Sequence, residues 1–178
     1  MKTILVPTDG SAAAEKALDL ALDLAQKHGA DVKFLHVLLR DKEPDELLRL
    51  PDLSAASGDV VSELKIREQS PKKERTAEEL MGARNAPLRP TPESVLRNIG
   101  AHVLKRANIH AAERGVIAEM LDLADGAAAP AIKAAAEATK ADTIVMGTRG
   151  LRRIEAVSFG SVSQEVCRSV QCTCIAVH

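Results

Sequence analysis

Two kinds of hydrophobic pattern alternate along the chain. Short continuous apolar runs are separated by stretches in which apolar residues recur every three or four positions. The first run, Thr3 to Val6, reads as a buried parallel strand, because both strand faces must be apolar when helices cover both sides of a sheet. Ser11 then reads as a helix N-cap. Leu18, Ala21, Leu22 and Ala25 follow on one helical face, and Gly29 closes the helix as a left-handed cap. The run DVKFLHVLL at 31–39 predicts a second strand. Strand, helix and strand in this order form a right-handed crossover between parallel strands. A long helical pattern resumes at residue 91, with Thr91 as its cap, Pro92 as its first helical residue and Gly115 just past its end. Val116–Leu121 predicts a third strand, 127–140 a helix with Pro130 in its first turn, and DTIVMG at 142–147 a fourth strand. Ser161, with Gln164 three residues on, predicts a helix opened by a capping box, and TCIAV at 173–177 predicts a last strand.

The resulting order, β-α-β-α-β-α-β-loop-α-β, is that of an open, doubly wound parallel α/β sheet of five strands flanked by helices, a Rossmann-like arrangement. The length of 178 residues suits one domain, 1–178, with no internal repeat. Residues 41–90 break the pattern. They hold Pro44, Pro51, Pro71, Pro87 and Pro90 and the charged run SPKKERTAEE. PDELLRL and DVVSELKI predict short helices there. The segment as a whole reads as a long insertion, partly ordered at best, of the kind used as a lid, a partner surface or a disordered linker.

Composition narrows the function. Net charge is -1, from 24 basic and 25 acidic residues, so no overall pull toward nucleic acid exists. Two phenylalanines are the only aromatics, which leaves no platform for stacking bases. No apolar run is long enough to span a membrane and no signal peptide is evident, so the expected compartment is the cytoplasm, where thiols stay reduced. Cys167, Cys172 and Cys174 are therefore expected as small buried hydrophobes; they lack histidine partners for a zinc site. His36, in a buried-looking strand, reads as a satisfied core or site-edge histidine, and His102 and His110 are too far apart on their helix to chelate.

Three of the ten glycines fall between residues 147 and 160. In an open parallel sheet, ligands bind at the carboxyl ends of the strands where strand order reverses. Strand one ends at VPTDGS and strand four at MGTRG, and both face one crevice if those strands are neighbours. Gly147 and Gly150 are expected to turn with positive φ and to let a ligand approach without a Cβ. Gly160 and Ser161 open a helix whose free N–H groups attract anions, with Ser161 and Ser163 adding hydroxyl donors. Arg149, Arg152 and Arg153 put positive charge in the loop. Such glycines also serve plain turns, and spacing alone leaves both uses open.

The spacing G-x2-G-x9-G-S, at Gly147, Gly150, Gly160 and Ser161, resembles the ATP-binding signature of the universal stress protein family. ILVPTDGS at 4–11, FLHV at 34–37, ADTIVMGTRG at 141–150 and FGSVSQEVCRSVQCTCIAV at 159–177 resemble the same family. The resemblance implies a sheet of order 3-2-1-4-5, a homodimer formed along the last strand, Thr173 to Val177, and ATP or another adenine nucleotide as ligand. It further implies that Pro7, Thr8 and Asp9 form the first site loop, with Asp9 by the ribose and phosphates and holding Mg2+. Val37, Met146 and Gly147 would line the adenosine, and Gly150, Gly160, Ser161, Val162 and Ser163 the phosphates, with Arg149 among them. The chain departs from the family in its longer 41–90 insertion and in Cys174, where many members carry proline.

The chain has no G-x4-G-K-[ST] lysine, no arginine finger and no general base aimed at a γ-phosphate, so ATP binding with slow or no hydrolysis is expected. The alternative is a nucleotide-independent dimeric interaction or chaperone-like protein. An adenylate-forming enzyme would need S-G-G-x-D-S after strand one, where this chain has PTDGS.

Overall fold

A computed structural model of the chain describes residues 1–71, 89–151 and 160–178. Its strands are β1 (Thr3–Pro7), β2 (Asp31–Leu35), β3 (Ala118–Met120), β4 (Thr143–Gly147) and β5 (Thr173–Val177). Its helices are α1 (Ala12–His28), α2 (Pro44–Leu47), α3 (Val60–Gln69), α4 (Glu93–Glu113), α5 (Ala128–Ala138) and α6 (Ser161–Ser169), with a 3-10 turn at Leu53–Ala55. The strands form one five-stranded sheet in the order β3-β2-β1-β4-β5. Every pairing is parallel, with Ile4 opposite Val32 on one side and Thr143 on the other.

The continuous apolar runs follow from burial on both faces. Ile4, Val6, Val32, Phe34 and Val145 pack with Leu18, Leu22 and Ala25 of α1 and Leu104, Ala107 and Ala111 of α4. On the other face, Leu5, Leu35, Ile144 and Met146 pack with Ala129, Ile132 and Ala136 of α5 and Val166 of α6. Each such leucine or isoleucine contributes about 1.5–3 kcal/mol on leaving water. Sequence and structure agree on the caps of α1. The Ser11 hydroxyl accepts the Ala14 N–H at 3.3 Å, and Gly29 is left-handed at φ 61°.

Several boundaries differ from the sequence reading. Pro92, not Thr91, takes the cap position of α4, which starts at Glu93. Gly160, not Ser161, caps α6; Ser161 is the first helical residue, and no side chain closes a capping box there. The apolar run of the second strand outlasts β2 because Leu38 and Leu39 leave the sheet for a third cluster. That cluster also holds Leu47, Leu50, Leu53 and Leu64, packed on Leu96, Ile99 and Val103 of α4. Both short helices expected in the 41–90 segment are present, as α2 and α3.

The cysteines depart from expectation. Cys167 and Cys174 are joined in a disulfide, with Cα atoms 5.5 Å apart, and Cys167 is exposed rather than a buried hydrophobe. Only a short connection separates α6 from β5, so the helix folds back along the strand and brings the two positions together. Cys172 keeps a free, half-buried thiol, whose pKa burial raises. Among the described residues, no helix is long and apolar enough to cross a membrane.

Candidate functional site

β1 and β4 are adjacent and lie where the strand order reverses, so the loops leaving them meet at the carboxyl edge of the sheet. The first loop begins at buried Pro7 and Thr8. Thr8 N–H donates to Leu35 O at 2.9 Å, extending the β1–β2 ladder by one step. Gly10, at φ 76°, turns the chain, its N–H bonded to the Thr8 hydroxyl at 3.2 Å. The Asp9 carboxylate accepts the Ser11 N–H at 3.0 Å, and α1 starts one residue later.

The second loop begins at Gly147, opposite Val177 of β5. Thr148 is buried, and its N–H and hydroxyl both donate to Val177 O, at 2.7 and 3.0 Å. The Thr148 carbonyl in turn accepts the Gly160 N–H at 2.6 Å and the Ser163 hydroxyl at 3.3 Å. The N-terminus of α6 is therefore fastened to the end of β4. The two loops touch directly: the Ser11 hydroxyl donates to Arg149 O at 3.4 Å. A Cβ on Gly150 would stand 2.7 Å from Asp9 Oδ2.

That geometry corrects the reason for the glycines. Neither Gly147 nor Gly150 has a positive φ. Gly147 is needed because there is no room for a side chain, whereas at exposed Gly150 a Cβ would meet only the carboxylate end of Asp9, which can swing aside. A Cβ on Gly147 would lie 2.8 Å from the Ala13 carbonyl carbon, and one on Gly160 would lie 2.7 Å from Thr148 O.

The structure gathers the expected residues into one region. Pro7, Thr8, Asp9, Gly147, Arg149 and Gly150 line the two loops, and Gly160, Ser161, Val162 and Ser163 open α6 beside them. Val37 and Met146 are buried with Leu5 and Leu35 in the core cluster under α5 and α6. Ser163 turns inward to Thr148 and Gly160, whereas Ser161 is exposed. Arg152 and Arg153 lie outside the described residues.

No group of three or more histidine, cysteine, aspartate or glutamate side chains that could hold a metal exists among the described residues. Asp9 therefore fits Mg2+ only as a single protein ligand, the remaining positions falling to phosphate and water oxygens, which is how Mg2+ is commonly held. Spacing did not single out Thr148, because its bonds depend on pairing with β5. The Nδ1 of His36 lies 2.9 Å from Thr8 O, and burial lowers the histidine's pKa against the opposing pull of that bond and of Asp9.

Fold and crevice together define a doubly wound α/β protein whose ligand edge lies between β1 and β4. Within that class, the chain belongs to the universal stress protein family, whose model matches residues 1–178. A universal stress protein of Thermus aquaticus is 30% identical over 177 residues, covering 99% of this chain and 98% of its own length. The fold is similar to that of the universal stress protein UspA of Lactobacillus plantarum, with a TM-score of 0.64 and 20% identity over 99% of this chain and 97% of that one. It is also similar to a universal stress protein of Archaeoglobus fulgidus solved in complex with dAMP, with a TM-score of 0.55 and 18% identity over 100% of this chain and 98% of that one.

Proposed function

We propose that the chain is an ATP-binding regulatory protein of the stress response. ATP occupies the crevice between the β1 and β4 loops, its adenine over Val37 and Met146 and its phosphates at Gly150, Arg149 and the N-terminus of α6. Asp9 holds the Mg2+ that travels with the phosphates. The observation that carries this reading is the fit of the two loops. The Ser11 hydroxyl bonds to Arg149 O, Gly150 faces the Asp9 carboxylate, and the α6 N-terminus is fastened to the end of β4. The dAMP-bound relative supports an adenine nucleotide as ligand. Hydrolysis is slow or absent, because the chain has no P-loop lysine and Asp9 is the only carboxylate the two loops hold among the described residues. The chain forms a homodimer along β5, which pairs on one side only, with β4.

The test is direct. Protein purified, denatured and examined by mass spectrometry releases adenine nucleotide. Calorimetric titration of Mg-ATP gives micromolar binding in the wild type and none in Gly160→Val, whose side chain would collide with Thr148 O. A folded wild type that releases no nucleotide and gives no heat refutes the reading in favour of a nucleotide-independent dimer.

A further inference from the structure

His36 follows the last residue of β2 and is fully buried. Its ring packs against α4 at Gly100, where a Cβ would lie 2.7 Å from His36 Cδ2, and the same Cβ would meet Leu123 at 2.7 Å. A histidine inside such a tight niche is held there at a cost, since Nε2 is buried with no hydrogen-bond partner among the described residues. A leucine of similar bulk would avoid that cost, so the ring is kept for what Nδ1 does. Nδ1 lies 2.9 Å from the Thr8 carbonyl. A carbonyl only accepts, so Nδ1 carries the proton and Nε2 the lone pair.

Two adjacent residues thus hold both backbone groups of Thr8: Leu35 O takes its N–H, and His36 Nδ1–H takes its carbonyl. The Thr8 carbonyl belongs to the peptide that leads into Asp9. Because that peptide is planar and trans, fixing the carbonyl toward His36 turns the Asp9 N–H away from the His36 ring and sets the direction in which Asp9 leaves the strand. Asp9 is the residue that faces Gly150 and receives the Ser11 N–H.

We propose that His36 is a positioning residue for the nucleotide: its Nδ1–H locks the Thr8–Asp9 peptide so that Asp9 meets the glycine loop in a fixed orientation. The role rests on the nucleotide reading given above. The side-chain amide nitrogen of asparagine reaches the place of Nδ1, whereas leucine fills the niche without a donor. His36→Asn is expected to bind Mg-ATP within about threefold of wild type, and His36→Leu at least about tenfold more weakly, because without a donor the Thr8–Asp9 peptide no longer holds Asp9 in one orientation. Thermal unfolding checks that both are folded; where His36→Leu is not, His36→Gln, whose amide stands nearer Nε2, replaces it. Equal loss in the asparagine and leucine variants, or full affinity in the leucine variant, overturns the proposal. Amide hydrogen exchange at residues 8–11, measured without nucleotide, separates it from the functional reading. Faster exchange in His36→Leu but not in His36→Asn supports the positioning role even if ATP does not bind, and unchanged exchange in both refutes it.

Discussion

Gly147→Ala tests whether the glycines of the site answer to space rather than to backbone freedom. Gly147 is the last residue of β4, paired with Val177, and its φ is not positive, so alanine suits its backbone conformation. The obstacle is α1. The new methyl carbon would lie 2.8 Å from the Ala13 carbonyl carbon, 2.9 Å from Ala14 N and 3.0 Å from Ala13 Cβ. Ordinary carbon contacts need about 3.5 Å or more. The first turn of α1 must therefore retreat by roughly 0.7 Å, and it is main chain, not a side-chain end that can swing aside. Overpacking of this kind costs about 2–3 kcal/mol. In a domain of this size, that lowers Tm by about 4–12 °C.

The proper control is Gly29→Ala. That glycine sits at φ 61° with nothing within 4 Å, so alanine there loses only conformational preference, about 1 kcal/mol. Urea unfolding of both variants gives the difference in midpoint at constant m-value. The retreat of α1 also strains the Ser11–Arg149 contact, so Mg-ATP binding weakens in Gly147→Ala and is unchanged in Gly29→Ala. A Gly147→Ala protein within about 0.5 kcal/mol of wild type, beside a Gly29→Ala protein that loses its expected amount, refutes the close-approach argument.

Three further outcomes are expected. His36 is neutral when folded but titrates near 6.5 when unfolded, so the unfolded chain binds more protons below that pH. Stability should be full above pH 6.5 and fall by up to about 1.4 kcal/mol per unit as pH drops through 6.5, levelling off below the lowered folded pKa. Urea titrations between pH 5 and 8 check this, and His36→Asn should flatten the slope. Reducing the Cys167–Cys174 bond, which closes a loop of sequence separation 7, should lower stability by about 2.5 kcal/mol on the chain-entropy account. Dithiothreitol should have that effect on Cys172→Ser and none on Cys167→Ser. Leu64→Ala should cost about 2–4 kcal/mol, because Leu64 is fully buried in the third cluster; a loss below about 1 kcal/mol would mean that α3 is not part of the core.

The sheet was legible because burial on both faces writes each central strand as an unbroken apolar run. β5 coincides with its expected span, and β1 and β4 differ from theirs by one residue at an end. The same signal misleads where apolar residues leave the sheet. Leu38 and Leu39 look like strand but pack with the insertion, and apolarity does not tell these fates apart. The insertion's leucines are aperiodic because short turns, not one long helix, carry them to α4, which is why the segment read as poorly ordered. Cys167 and Cys174 differ from expectation for a related reason. Their meeting depends on how α6 folds back on β5, which no spacing rule states. Glycine identities at the site were plain, but their cause was not. Clashes with Ala13 and Thr148 arise only when distant elements are brought together.

One packing detail ties the insertion to the site. Gly10 turns the first loop with a left-handed φ, and a Cβ there would meet Leu50 Cδ2 at 2.9 Å and Val103 Cγ2 at 3.0 Å. Leu50 belongs to the insertion and Val103 to α4, so both press on the turn that directs Asp9. Leu151, the residue after Gly150, is buried in that same cluster. The two loops of the crevice therefore share one hydrophobic cluster with residues 47–64, and packing transmits displacement because interiors are dense. The described part of the insertion is thus packed into the cluster that touches both loops, and is not an appendage. Its leucines set the position of the turn at Gly10 from outside, as His36 sets the peptide at Thr8 from beneath.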